Sequence, residues 1–297
     1  MDDMQSTLIN WFDSHARVLP WRRDDATPWG VLVSEVMLQQ TPVNRVLPVY
    51  IAWMQRWPIP AALAADTAAN AIRAWARLGY PRRALRLHAC AVAIVTAHGG
   101  EVPSEVTELL ALPGIGSYTA HAVGAFAFGQ RQPVVDVNVR RVLARAIAGI
   151  GEPGPATSAA DIALMAELLP DTPHEAARFA AAVMECGATI CTARNPACEV
   201  CPIAGSCAWQ AAGSPQQAAQ KKRTQRYEGT DRQVRGRLLA VLRDASGAVP
   251  KSALDAVWRL DEQRERALAG LVDDGLVHKL SDTEYALPGA VIALEAW

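Results

Sequence analysis

Apolar and polar positions follow a helical period through the first two-thirds of the chain. Between residues 6 and 207 alanine and leucine recur at spacings of three and four, and the runs are cut by Pro or Gly. This pattern predicts helices after Pro28, from Asn70 to Leu78 and from Pro81 to Ala97. Alternating stretches of strand type are scarce, so the region is predicted to be all-α. From Ala211 to about Tyr227 the texture changes. Gln, Ala, Gly, Ser and Pro lead into Lys221-Lys222-Arg223 and Arg226, which reads as an exposed linker with a basic end. Beyond it, helices are predicted at Gln233–Arg243, Ser252–Val257 and Glu262–Asp274, followed by short strands at Leu276–Leu280 and Tyr285–Leu287 around Ser281-Asp282. Three helices and a hairpin suggest a small winged-helix-like module. No solenoid-type repeat is present.

Composition narrows the class. A chain of 297 residues with 51% hydrophobic and 20% charged residues is expected to fold as two or three globular domains. The net charge of −1 supplies no global basic signal, so any nucleic-acid contact must come from local patches or from backbone amides. No stretch of about eighteen residues is free of charge, which predicts no membrane span. The start, Met-Asp-Asp-Met, does not read as a signal peptide. A reducing compartment is therefore expected, the cytoplasm or, in a bacterium, the nucleoid. There the six cysteines are thiols or metal ligands rather than disulfides.

Four of those cysteines, Cys191, Cys198, Cys201 and Cys207, have the spacing C-x6-C-x2-C-x5-C. Four thiolates in one short loop suit an iron–sulfur cluster or zinc. Zinc sites usually show two C-x2-C pairs, and here the single pair is central. Cys90 and Cys186 lie in apolar helical runs and are expected in the core.

Three further features carry chemistry. Leu112-Pro113-Gly114-Ile115-Gly116 separates two helical runs; its glycines allow a tight turn that would present N–H groups at the start of the next helix. Such a terminus binds phosphate without lysine. Glu35, in Val31-Leu32-Val33-Ser34-Glu35-Val36-Met37-Leu38, has apolar neighbours on nearly every helical face. Burial should raise its pKa and keep a proton available for a leaving base, unless an arginine pairs with it. Asp136, in Pro133-Val134-Val135-Asp136-Val137-Asn138-Val139-Arg140, precedes a helical run and reads first as an N-cap. That role is compatible with a fixed carboxylate that stabilises a developing cation.

The cysteine loop, following Met184-Glu185-Cys186-Gly187-Ala188, closely resembles that of the endonuclease III and MutY glycosylase superfamily, and Leu112–Gly116 resembles its helix-hairpin-helix motif. Ser34-Glu35-Val36-Met37-Leu38-Gln39-Gln40-Thr41 and the stretch from Val135 to Leu143 look like the two catalytic segments of MutY-type adenine glycosylases. The likeness runs from about Trp11 to Cys207. It implies a mainly α fold with a helical domain carrying the hairpin at 23–132 and a cluster domain formed by 1–22 and 133–210, to which the chain's own pattern adds the linker at 211–227 and the winged-helix-like module at 228–297. It also implies a [4Fe–4S] cluster on Cys191, Cys198, Cys201 and Cys207, and backbone contacts to DNA at Leu112, Gly114 and Gly116. Glu35 would protonate the adenine ring nitrogen, Asp136 would stabilise the oxocarbenium-like sugar, and Asn138 would position the carboxylates or water. Arg17, Trp21, Leu38 and Glu185 fall where the family builds its adenine pocket. Gln40, Thr41 and Tyr80 fall where it wedges beside the opposing base. Two positions depart from the pattern: Val137 stands where glycine is usual, and Pro81 follows Tyr80 where a second aromatic is common.

Bifunctional relatives carry a lysine two residues after the last glycine of the hairpin, and here that place is Tyr118. All four lysines, at 221, 222, 251 and 279, lie in the linker or beyond. Schiff-base strand cleavage therefore has no side-chain amine in the helical region. The expected activity is monofunctional excision of adenine mispaired with 8-oxoguanine or guanine in duplex DNA, by a monomer. The residues after Tyr227 are too few and too helical for the Nudix-like domain that commonly recognises 8-oxoguanine. A thymine or uracil mismatch glycosylase on the same scaffold, and a non-catalytic DNA-binding iron–sulfur protein, are the rival readings.

Overall fold

The structure, a computed structural model, describes residues 2–215 and 227–290. The basic run Lys221, Lys222, Arg223 and Arg226 lies outside the described residues. In chain order the helices are α1 (Asp2–His15), α2 (Pro28–Leu38), α3 (Val43–Arg56), α4 (Pro60–Ala64), α5 (Ala68–Ala74), α6 (Arg82–Ala97), α7 (Val106–Ala111), α8 (Ser117–Phe128), α9 (Val137–Ala146), α10 (Ala159–Leu168), α11 (Pro173–Thr189) and α12 (Ala208–Ala211). They are followed by α13 (Asp231–Asp244), β1 (Val249–Pro250), α14 (Lys251–Asp255), α15 (Asp261–Asp273), β2 (His278–Lys279) and β3 (Glu284–Ala286). The predicted all-α character of the first two-thirds is observed. The helix expected from Asn70 instead starts at Ala68, because Thr67 caps it by accepting from the Asn70 amide at 3.2 Å, and it ends at Ala74.

Two compact units emerge. Among the described residues, the first comprises 2–35, 103–111 and 115–215; the second comprises 36–102, 112–114 and 227–290. The segment 23–132, read from sequence as one helical domain, is shared between them. In the first unit, α11 is buried almost all round through Ala176, Phe179, Ala180, Val183 and Cys186, as expected of a helix in the middle of a core. Leu8, Val142, Leu143 and Met165 pack in the same cluster. Capping sets the ends of its neighbours. Asp136 caps α9, and Ser158 with Asp161 forms a capping box on α10.

The second unit is centred on tryptophan. Val46, Tyr50 and Trp53 repeat at helical spacing along α3 and are buried. Trp53 meets Trp57 and Trp75 edge-on, with ring centroids 4.6 and 5.7 Å away. The C-terminal module belongs to this unit. Its three helices and a sheet of order β1-β3-β2, antiparallel throughout, agree with the winged-helix-like expectation. The sequence pattern missed β1, whose two residues are too few to show alternation. Arg73 joins the module to α5 by donating to the Arg243 carbonyl at 3.3 Å and the Ala245 carbonyl at 2.7 Å. Arg82, at the start of α6, pairs with Asp274 at 3.1 Å. Among the described residues, no helix is long and apolar enough to cross a membrane.

Candidate active site and cluster loop

In the first unit, α2 delivers Glu35 into a buried position, 6% exposed. Tyr118, in the first turn of α8, hydrogen-bonds its carboxyl, and Asp136 lies close enough to repel a second negative charge. Burial pushes Glu35 up to about 7, with Asp136 adding to the rise while Tyr118 and Arg22 oppose it. The Tyr118 phenol is itself pushed well up by burial and by the two carboxylates, so it stays a donor.

Asp136 is the N-cap that the sequence predicts. As N-cap of α9 it accepts from the amides of Asn138 at 2.8 Å and Val139 at 2.7 Å, and from Asn138 Nδ2 at 2.7 Å. Burial raises its pKa, while these donors and Arg141 favour the ionised form. Asn138 therefore orients Asp136 directly. Val137 is the first residue of α9 with its side chain 63% exposed, so the missing glycine costs nothing sterically. Gly187 on α11 explains how closely Asn138 is held. A Cβ there would stand 2.6 Å from the Asn138 carbonyl oxygen.

Glu185 shows the paired alternative that had been open for Glu35. It is fully buried, and Arg17 grips it with Nε at 2.6 Å and Nη2 at 2.7 Å, while Arg22 Nη1 lies 2.9 Å away. Burial alone would raise it, but the two guanidiniums hold it at about 2. Trp21 is buried beside these residues in sequence, between Pro20 and Arg22 of a 3-10 turn. Arg22 had no role in the sequence reading; the run Trp21-Arg22-Arg23 offers no signal for which arginine turns inward.

Arg141 was also missed, although it lies inside the recognised motif. Its Nη2 donates to Asn138 Oδ1 at 2.8 Å and the Gly187 carbonyl at 2.6 Å; its Nε donates to the Cys191 carbonyl at 2.6 Å. One side chain thus joins the Asp136–Asn138 pair to the first cysteine of the loop.

Cys191, Cys198, Cys201 and Cys207 line one pocket together with Val142, Ile190 and Ile203. Among the described residues, no three His, Cys, Asp or Glu side chains are gathered closely enough to hold a single metal ion. Four cysteine thiols on one pocket are the ligand set that an iron–sulfur cluster takes. A thiolate-bound cluster is anionic, and a cation is in place: Arg145, 4% exposed, lies 3.5 Å from Cys191 Sγ through Nη1 and stacks on Trp209 at 4.8 Å. Cys90 and Cys186 are buried, as expected.

In the second unit, Leu38 and Thr41 lie at and just beyond the end of α2, and Gln40 and Tyr80 are exposed on turns with φ of 53° and 48°. Pro81 stands at the N-cap of α6, where its lack of an N–H is harmless. In the hairpin, Leu112 is buried and Gly114 has φ of 79°, with its Cα face against Arg86, where a Cβ would stand at 2.6 Å. Gly116 is extended, with open space around it, and begins α8 without a side-chain cap. That leaves a helix N-terminus that a phosphate can approach closely.

Comparison with known proteins agrees. Residues 33–164 match the HhH-GPD superfamily of base excision DNA repair proteins, and residues 191–207 match the iron-sulfur binding domain of endonuclease III. The chain is 52% identical over 284 residues to the adenine DNA glycosylase of Mycolicibacterium smegmatis, covering 95% of each. It is 50% identical to that of Mycobacterium tuberculosis, covering 96% of this chain and 93% of the relative. A thermostable thymine-DNA glycosylase of solved structure superposes with a TM-score of 0.62 at 26% identity, over 71% of this chain and 98% of the other. With half its residues identical to these relatives along nearly its whole length, and the hairpin and iron–sulfur loop in place, the chain belongs to the adenine DNA glycosylase family.

Proposed function

We propose that this chain excises adenine mispaired with 8-oxoguanine or guanine in duplex DNA, as a monofunctional enzyme acting as a monomer in the compartment that holds the chromosome. It is a hydrolase of N-glycosyl bonds and a base excision repair protein with DNA as its partner. The observation that carries the mechanism is the pair Glu35 and Asp136 in the first unit. Glu35, held up to about 7, keeps a proton at neutral pH for the adenine ring nitrogen. Asp136, fixed at the start of α9, faces the cationic sugar that forms as the base leaves. Asn138 orients Asp136, and Tyr118 fixes the Glu35 carboxyl. The Arg17–Glu185–Arg22 group and Trp21 are assigned to the adenine pocket in the first unit; Leu38, in the second unit, carries that role on the family resemblance alone. Flipping requires something to fill the stack, and Gln40, Thr41 and Tyr80 serve as the wedge beside the opposing base. The backbone at Leu112, Gly114 and Gly116 holds phosphate. Cys191, Cys198, Cys201 and Cys207 hold the [4Fe–4S] cluster, which shapes and stiffens the loop they lie in.

A second reading, a thymine or uracil mismatch glycosylase, has the superposition on the thymine-DNA glycosylase in its favour. The far higher identity to adenine DNA glycosylases favours adenine. Single-turnover excision on duplexes carrying A:8-oxoG, A:G, T:G and U:G decides. Adenine release from the first two, with the strand left intact and little borohydride-trapped complex, is expected. Thymine or uracil release, or trapping at the rate of excision, would overturn the assignment.

A further inference from the structure

Arg83 is a buried guanidinium that the chemistry above does not use. It is the second residue of α6 and 7% exposed. Its Nη1 donates to the carbonyls of Val36 at 2.9 Å, Met37 at 3.1 Å and Gln39 at 2.6 Å. Its Nη2 donates to Thr41 Oγ1 at 3.0 Å and the Gly79 carbonyl at 3.1 Å. The rings of Trp75 and Tyr80 lie 5.2 and 5.5 Å from its central carbon.

These partners come from three places. Val36 and Met37 belong to the last turn of α2, whose end carbonyls have no partner within the helix and whose dipole favours a cation. Gln39 and Thr41 flank Gln40. Gly79 precedes Tyr80. Gln40 and Tyr80 both hold the left-handed backbone, which costs a residue with a side chain roughly 1 kcal/mol or more. Such conformations persist only where the surroundings over-determine them. Arg83 supplies that constraint to both turns at once, with the two nitrogens of one planar fork. Its partners are four carbonyls, a hydroxyl and two aromatic faces, so it holds position by geometry. Lysine, a point charge with three donors, cannot reproduce the fork.

We propose that Arg83 is a positioning residue that locks the Gln40 and Tyr80 turns into one base-reading platform and so sets discrimination between mispaired and paired adenine. The proposal rests on the reading of Gln40, Thr41 and Tyr80 as the wedge. The test uses the full-length, iron-loaded protein. A duplex carries 2-aminopurine beside the base opposite adenine, whose fluorescence rises on unstacking, and turnover is blocked by Glu35→Gln. Arg83→Lys is expected to lose most of the fluorescence rise and to narrow the affinity gap between A:8-oxoG and A:T duplexes by about tenfold. In the active background, the pH midpoint of excision and the iron content are expected to stay unchanged. Thr41→Val, which removes one acceptor and leaves the cation, should move the same readouts less far, and it decides the matter if Arg83→Lys fails to fold. A folded variant with the wild-type fluorescence rise and affinity gap overturns the clamp, provided that Tyr80→Ala or Gln40→Ala abolishes the rise. If neither does, the wedge reading itself falls and the proposal with it.

Discussion

Two buried glutamates show how surroundings decide the chemistry of one residue type. Glu185 is fully buried, yet two arginines hold it at about 2. Glu35 is almost as buried, but a phenol and another carboxylate are its main polar neighbours, and it rises to about 7. The pH consequence has a definite sign. Between about 4.5, the unperturbed value, and about 7, the folded protein keeps a proton that the unfolded chain gives up. Stability therefore falls as pH rises through that window, and above 7 the full cost is about 3 kcal/mol. Glu35→Gln is expected to abolish excision while leaving DNA binding largely intact. It should also raise the urea midpoint at pH 8 and leave it near wild type at pH 4.5. In the wild type, the single-turnover rate should decline as pH rises past about 7. Equal urea midpoints at pH 8 would show that the ionised carboxylate is accommodated without penalty. The apolar neighbours of Glu35 made this rise readable from the sequence. The choice of partner was not readable, because nothing in the spacing says that the arginines turn to Glu185 instead.

At the level of elements, the start of α9 is the organising feature. Its N-cap is Asp136, its second residue Asn138 reinforces the cap, and Arg141, one turn on, reaches the Gly187 and Cys191 carbonyls. The motif from Val135 to Leu143 was legible as a unit. The task of Arg141 was not, because its acceptors lie about 46 and 50 residues away in the chain. Arg141→Gln should lower iron occupancy and the single-turnover rate together, the latter by tenfold or more. The variant leaves the Gly187 and Cys191 carbonyls without their donor and lets Asn138 turn away from Asp136. Full iron content with an undiminished rate, measured by metal analysis and quench-flow, would show that the loop and the carboxylate are independent.

For the molecule as a whole, the C-terminal module is the part whose place the sequence did not foretell. Its basic lead-in, Lys221 to Arg226, reads as the end of an exposed linker, and the module as a separate winged-helix-like unit. Within the described residues, Arg235 is paired with Asp274, and Arg232 lies over the Tyr227 ring at 5.1 Å. Asp274 also reaches Arg82, two residues beyond Tyr80, and Arg73 holds the end of α13. The module is thus part of the second unit. Deleting residues 228–297 is expected to lower that unit's stability, seen as faster hydrogen exchange in α5 and at the start of α6. Wild-type exchange there would mean that the contacts carry no load.

The sequence by itself determined the helical class, the cysteine loop, the hairpin and the two carboxylates. Each is written in a short window, as a period, a spacing or a turn, and local backbone physics suffices to read it. Only the tertiary structure decided which arginine serves which carboxylate, that Arg83 spans two turns, that Gly187 is the one residue small enough to admit the Asn138 backbone, and that the last module joins the second unit. Those outcomes depend on contacts between residues far apart in the chain. Arginine in particular carries no local sign of its partner, because its long side chain reaches whichever acceptors the packing leaves unsatisfied.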